Sequence, residues 1–132
     1  MVTNTFSIEP YGEKAYHTGI AVPVFSLRTE NSSGVGQFSD LKKLADFTYR
    51  SGMDVIQLLP INDTTTFMDW RDSYPYRAIS VFALHPLYLD IHEFWKSYTK
   101  EQQEKLLILE SELNSLEKID YERCLALKWE YA

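Results

Sequence analysis

Two short apolar runs with one amphipathic helix between them constrain the fold of this chain more than any other feature of its sequence. The first run, Gly19–Phe25, is rich in β-branched residues, and the second, Val55–Ile61, is almost continuously apolar, as strands covered on both faces tend to be. Between them, Ser39 is placed to cap a helix and Gly52 to end it. The apolar face of that helix is formed by Leu41, Leu44, Ala45 and Thr48. The pattern predicts one βαβ unit whose two strands are parallel neighbours.

One βαβ unit does not make a closed architecture. A (β/α)₈ barrel typically needs about 250 residues, and a doubly wound sheet needs further strand–helix units, whereas this chain has 132 residues. We therefore predict an α/β chain that is either a piece of a larger protein or completes its sheet with a partner.

The sequence divides into three parts: a polar, extended lead-in or linker (1–18), the strand-bearing part (19–91) and a helical part (92–132). Within the second part, Pro23 suits the end of a strand better than its middle, because proline cannot donate to a sheet ladder. His85-Pro86 is expected to break the apolar segment 78–91 into a helical turn and a strand-like piece.

The helical part carries its own start signals. Thr99 and Gln102 have the spacing of a capping box, and Asp120 is placed to cap a last helix that runs to Trp129. Leu106, Leu109 and Leu113 form one apolar stripe on the helix between them.

Charge and composition exclude several classes of function. Thirteen Lys and Arg against nineteen Asp and Glu give a net charge of −6, which argues against a nucleic-acid or anionic-membrane partner. A single cysteine, Cys124, excludes a disulfide framework and is expected to be a small core side chain. No apolar run is long enough to span a membrane, and Met1–Pro10 does not resemble a signal peptide. We expect a cytoplasmic protein.

The densest group of polar and aromatic side chains lies in residues 62–77, directly after the second strand, at the end of a parallel strand where α/β barrels build their sites. Aromatic faces stack on the C–H face of a sugar ring, which suits Trp70, Tyr74 and Tyr76. Carboxylates and hydroxyls bond sugar hydroxyls, which suits Asp63, Asp72 and Ser73. The alternative is an ordered loop whose aromatic side chains pack and whose aspartates cap turns.

Other motifs are weaker. Asp63 and Asp72 could serve as an acid and base pair, but a structural use is favoured because an irregular loop fixes no distance between them. Gly34-Val35-Gly36 lacks the third glycine of a dinucleotide-binding loop, so turn formation explains it better. The three histidines, His17, His85 and His92, have no metal-binding spacing.

Several motifs in order resemble one known family. The segments GIAVPVFSLRTENSSGVGQFSDL, SGMDVIQLLPINDTT and DSYPYRAISVFALHPLYLDI are similar to the N-terminal part of the amylomaltases, the 4-α-glucanotransferases of glycoside hydrolase family 77. The final segment IDYERCLALKWEYA resembles the helical insertion that follows in that family. Bacterial members read D-S-P-Y where this chain has Asp72-Ser73-Tyr74-Pro75-Tyr76, so Tyr74 is an insertion shared with the plant-like branch.

The resemblance implies a partial (β/α)₈ barrel that contains the first βα units and a helical insertion. It implies that Tyr76 lines a glucan-binding cleft, with Asp72, Ser73, Trp70 and Tyr74 beside it. The family moves α-1,4-glucan segments between maltooligosaccharides, or polysaccharide such as starch or glycogen, by a retaining mechanism that uses carboxylates and no cofactor.

The family's catalytic carboxylates come from later strands, and no residue here matches them. We therefore assign no catalytic residue and expect the isolated chain to be inactive. The alternative is a truncated, non-catalytic module that binds glucan or serves in an interaction. Because its strands would have unpaired edges, we also expect the chain to self-associate.

Overall fold

A two-stranded parallel sheet with a helix between its strands forms the first half of the molecule, as the sequence predicts. The computed structural model describes residues 17–132, so most of the predicted lead-in lies outside the described residues. Strand β1 (Gly19–Val22) pairs with β2 (Val55–Leu58) in a parallel register in which Gly19 faces Val55 and Val22 faces Leu58. Helix α1 (Asp40–Arg50) connects them, which confirms the βαβ unit.

Both strands are shorter than predicted, and neither is covered on both faces. Pro23 ends β1, and a 3₁₀ turn at Val24–Ser26 follows it, because proline has no N–H to continue the ladder. Strand β2 ends before Leu59-Pro60 for a similar reason. Along each strand exposed residues alternate with half-buried ones, so the prediction that the second strand is covered on both faces is wrong for this chain by itself.

Helix α1 starts and ends at the predicted places, although only the end works as expected. Ser39 occupies the cap position, but its backbone is already helical and its hydroxyl makes no capping bond. At the other end Gly52 has a φ of +71°, with its N–H bonded to the Tyr49 carbonyl and the Met53 N–H bonded to the Thr48 carbonyl. These paired bonds are a Schellman motif, which confirms the predicted glycine stop.

A 3₁₀ helix (Ile91–Ser97) and two α-helices make up the second half. Helix α2 (Lys100–Ser115) begins with the predicted capping box, in which both Thr99 and Gln102 take part. Helix α3 (Tyr121–Tyr131) is capped by Asp120, whose carboxylate accepts from the Arg123 N–H, and it runs two residues beyond the predicted end at Trp129.

The core lies between these helices and the loops that follow the strands, rather than on the sheet. A 3₁₀ turn at Pro86–Tyr88 confirms the break predicted at His85-Pro86. No helix within the described part of the chain is long and apolar enough to cross a membrane. The buried apolar cluster contains Val24, Val35, Leu87, Tyr88, Ile91, Leu106, Leu113, Tyr121, Cys124, Leu125, Leu127 and Tyr131.

Candidate functional site

The loop predicted to bind sugar leaves the carboxyl end of β2 and is fixed at both of its ends. Asn62 and Leu84 form an isolated antiparallel bridge. The Asp63 N–H donates to the Ala83 carbonyl at 2.9 Å, and the Ile79 N–H donates to the Asp63 carbonyl at 2.8 Å. We call residues 62–77 the site loop. Hydrogen bonds between residues 62–63 and residues 79–84 close the base of this loop.

Asp72 organises the inside of the site loop. Its side chain is buried, and its Oδ2 atom accepts from the backbone N–H groups of Thr66, Phe67 and Met68 at 2.9, 2.7 and 2.8 Å. Burial opposes ionisation, but the three N–H donors outweigh it, and the pKa of Asp72 is lowered. The donors hold the chain in a tight turn in which Met68 has a φ of +61°. Asp72 thus caps a turn, as the structural alternative expects.

The predicted aromatic residues face outward. Trp70, Tyr74 and Tyr76 are 68%, 57% and 60% exposed, although large aromatic side chains usually bury most of their surface. The rings of Tyr74 and Tyr76 lie 5.5 Å apart between centroids and are tilted by 46°. They offer neighbouring aromatic faces to solvent, which is the arrangement that sugar stacking requires.

Trp70 and Ser73 also border a pocket of about 260 Å³. The other three predicted residues do not line it. Tyr74 and Tyr76 form an exposed aromatic surface, and Asp72 is buried and supports the loop from inside. The pocket has mostly aromatic and aliphatic walls with a few polar groups, and it is lined by Phe25, Thr64, Trp70, Ser73, Pro75, His85, Leu87, Tyr88, Ile119 and Tyr121.

The wall of this pocket includes three buried polar side chains, Thr64, His85 and Tyr121, whose connection the sequence analysis missed. His85 Nδ1 accepts from the Leu87 N–H at 3.3 Å, so Nε2 carries the proton and donates to the Tyr121 hydroxyl at 3.0 Å. Burial lowers the pKa of His85 and raises that of Tyr121. The Thr64 hydroxyl, which faces Tyr121, donates to the Asp72 carbonyl. The sequence analysis interpreted His85-Pro86 only as a break in an apolar segment, and no pattern in the sequence pointed to the contact between His85 and Tyr121.

The carboxylates of the site loop are not arranged as an acid and base pair. Asp63 Oδ1 accepts from the Thr65 N–H at 2.9 Å, the Asp69 carboxylate pairs with the Arg71 guanidinium at 2.6 Å, and the Asp72 carboxylate is turned inward. Within residues 17–132 no group of three or more metal-ligating side chains comes together. The loop can therefore offer stacking surface and hydrogen bonds to a ligand, but not paired carboxylate chemistry of its own.

The loop that follows β1 is built for close packing, which supports the turn interpretation of Gly34-Val35-Gly36. Gly34 has a φ of +79°, and a Cβ atom there would come within 2.6 Å of the Leu113 Cβ. At Gly36 a Cβ would lie 2.0 Å from the Val24 carbonyl oxygen. Both glycines are required by the approach of neighbouring segments, so no phosphate-binding role is needed to explain them.

Comparison with known proteins gives a consistent result. The sequence profile of glycoside hydrolase family 77, described as 4-alpha-glucanotransferase, matches residues 22–132. The rice protein "4-alpha-glucanotransferase DPE2" is 44% identical over 110 residues, which are 83% of this chain and 12% of the rice protein.

Two bacterial proteins named 4-alpha-glucanotransferase are also similar. The one from Chlamydia caviae is 37% identical over 113 residues, covering 86% of this chain and 20% of that protein. The one from Haemophilus influenzae is 30% identical over 117 residues, covering 83% of this chain and 16% of that protein. The chain thus spans no more than a fifth of the length of any of these three relatives.

Proposed function

The chain belongs to the 4-alpha-glucanotransferases of glycoside hydrolase family 77, and we propose that it supplies part of the glucan-binding wall of such an enzyme. Its ligand is an α-1,4-glucan or maltooligosaccharide. The observation that carries this proposal is the exposure of three aromatic side chains, Trp70, Tyr74 and Tyr76, on one ordered loop at the end of a parallel strand.

The ligand contacts follow from the chemistry of that loop. The exposed rings of Tyr74 and Tyr76 would stack against pyranose faces, while Trp70 and Ser73 would contact the sugar from the pocket beside them. Asp72 is buried, so in this proposal it holds the turn that presents the aromatic residues instead of touching the sugar.

We also propose that β1 and β2 are the first strands of a (β/α)₈ barrel. In support, the two strands are parallel and adjacent, one helix connects them, and both loops that follow them lie at the same end of the sheet. Within the described residues no third strand extends this sheet, and the half-buried strand faces suit a position inside a larger sheet.

We assign no catalytic residue in this chain. A retaining transfer needs a nucleophilic carboxylate and an acid/base carboxyl close together. The three aspartates of the site loop, Asp63, Asp69 and Asp72, each already bond backbone N–H groups of its own turns. Incubation of the chain with maltotriose is therefore expected to release no glucose and no longer glucans, and clear transfer by the pure chain would contradict this expectation.

Calorimetric titration with maltoheptaose tests the binding proposal. We expect weak binding, in the millimolar range, as is usual for a ligand held at one open wall and not enclosed. Tyr76→Ala should weaken it several-fold because a stacking face is lost. Absence of heat at millimolar sugar would overturn the proposal.

Tyr49→Ala is the matched control. Tyr49 is also an exposed tyrosine, at 84%, but it lies near the end of α1, close to the start of β2 and away from the site loop. Its removal should leave maltoheptaose binding unchanged. Equal losses of maltoheptaose affinity in Tyr76→Ala and Tyr49→Ala would mean that the sugar binds exposed tyrosines nonspecifically.

A further inference from the structure

Helix α3 contacts both of the loops that follow the parallel strands. Near its start, Glu122 accepts from the Trp70 N–H and Tyr121 faces Thr64, and both of these partners lie in the site loop after β2. Near its end, Lys128 reaches Gln37 in the loop after β1. One rigid helix thus joins two loops that the chain connects only through α1 and β2.

We propose that α3 sets the position of the glucan-binding loop, with Tyr121 and Glu122 as positioning residues. This inference rests on the proposed function for the importance of the loop, but the contacts that carry it do not depend on any ligand.

The first contact acts from inside the loop. The Tyr121 hydroxyl accepts from His85 Nε2 at 3.0 Å and faces the hydroxyl of Thr64, which donates to the carbonyl of Asp72. The carboxylate of Asp72 in turn gathers three backbone N–H groups of the loop. A displacement of Tyr121 therefore reaches the turn at Asp72 through one intervening side chain.

The second contact acts at the exposed aromatic end. The Trp70 N–H donates to Glu122 Oε1 at 2.9 Å. This is a charge-assisted bond from a side chain on α3 to the backbone of the residue whose ring borders the pocket. Glu122 is exposed and is not part of the core, so its carboxylate can be changed without opening a cavity.

The helix itself is firmly held, which allows it to act as a reference. Cys124, Leu125 and Lys128 are fully or almost fully buried. A Cβ atom added at Gly34 would meet Cys124 Sγ at 2.9 Å, so the loop after β1 packs closely on this helix. Helix α3 can therefore hold the site loop in a defined position, because the helix is itself fixed by the core.

Amide hydrogen exchange, read by NMR on the ¹⁵N-labelled chain, tests the positioning role directly. Glu122→Ala should speed exchange of the Trp70 amide about tenfold, the effect of losing one charge-assisted hydrogen bond. Glu122→Gln keeps an acceptor oxygen at the same place and should restore most of the protection. In the same samples, maltoheptaose affinity should fall several-fold for Glu122→Ala and recover for Glu122→Gln.

Glu130→Ala provides the matched control. Glu130 is an exposed glutamate at the other end of α3, where it pairs with Lys105 at 2.6 Å. Its removal should change neither Trp70 exchange nor sugar affinity. Unchanged Trp70 exchange in Glu122→Ala, or equal effects of Glu122→Ala and Glu130→Ala, would overturn the inference.

A second pair of variants probes the inner contact. Tyr121→Phe should accelerate exchange of the Thr66, Phe67 and Met68 amides, while Tyr98→Phe, which deletes a hydroxyl bonded to Ile91 and Tyr131, should not. If the parent chain binds no maltoheptaose but the exchange results follow expectation, the proposed function fails and the positioning role stands. If the parent chain binds maltoheptaose but the Glu122 and Tyr121 variants leave amide exchange unaltered, the positioning role fails and the proposed function stands.

Discussion

The most unusual residue of the molecule is Lys128, which has no exposed surface. Its ammonium donates to Gln37 Oε1 within a polar group drawn from several elements. Ser33 donates to Glu110 Oε1 at 2.6 Å, and His92 Nε2 lies 3.0 Å from both oxygens of the same carboxylate. A lysine is almost never fully buried without such partners.

Burial of Lys128 makes the stability of the chain depend on pH. Desolvation lowers its pKa from 10.5 to about 8, against the attraction of Asp90, Glu110, Cys124 and Asp40. Between these values the unfolded chain keeps a proton that the folded chain has released. The lysine's unfavourable contribution is therefore full below pH 8 and is relieved as the pH rises toward 10.5.

Lys128→Met isolates this effect. Across pH 8 to 10.5, the unfolding free energy of the parent should rise relative to that of the variant by an amount on the order of 3 kcal/mol. Both proteins should carry Cys124→Ala, because burial raises the pKa of Cys124 to about 11, which costs stability in alkali, and because the charge of Lys128 acts on this thiol. Urea denaturation at each pH gives the values, and a flat difference would refute the expectation.

The exposed Lys105 serves as the control for that series. Its hydrogen bond to Glu130 raises the pKa of Lys105, which is the opposite direction, and the pair lies at the surface. The unfolding free energy of Lys105→Met, taken relative to that of Lys128→Met, should therefore rise across pH 8 to 10.5 as that of the parent does. A rise that vanished in this variant too would place its origin in surface charge and not in the buried lysine.

At the scale of elements, the sequence predicted what local chemistry decides. The capping box at Thr99, the Asp120 cap and the Gly52 stop each depend on side chains or backbone angles within a few residues, and all three are present. Strand burial depends on neighbours in space, which explains why β2 is more open than predicted. The early ends of β1 and β2 follow instead from Pro23 and Pro60.

The site shows the same division. The loop leaves the end of β2 as the sequence analysis predicts, because strand order decides its position. The exposure of Tyr74 and Tyr76 is a finding of the structure. The link between His85 and Tyr121 spans 36 residues and forms only when α3 packs against the Pro86–Tyr88 turn. No pattern in one sequence reveals such a contact.

Gly52 offers a test at this scale. Its φ of +71° is unfavourable for a residue with a Cβ, yet a Cβ there would meet nothing within 4 Å. Gly52→Ala should therefore cost about 1 kcal/mol of unfolding free energy from backbone strain alone. Gly52→Asn should cost less, because asparagine tolerates this conformation. Urea melts decide between them, and equal costs would mean that the left-handed turn does not control the helix end.

At the scale of the whole molecule, the apolar surface is the dominant feature. Beside the base of the site loop, residues 79–84 expose Ile79, Val81, Phe82 and Leu84, with Phe82 94% exposed. Within the described residues, β1 and β2 pair only with each other, so each has one free edge. Exposed strand edges and a contiguous apolar segment both favour contact with another chain.

We therefore expect the chain to self-associate. Sedimentation velocity over a hundredfold range of concentration should show a sedimentation coefficient that rises with concentration. Val81→Ser combined with Phe82→Ser should reduce the rise, because about half of the exposed apolar segment is removed. Ile108→Ser, which removes an exposed aliphatic side chain from α2 instead, should leave it unchanged. A monomer across the whole range would contradict the expectation, since the free edges and apolar segment would then be tolerated in water.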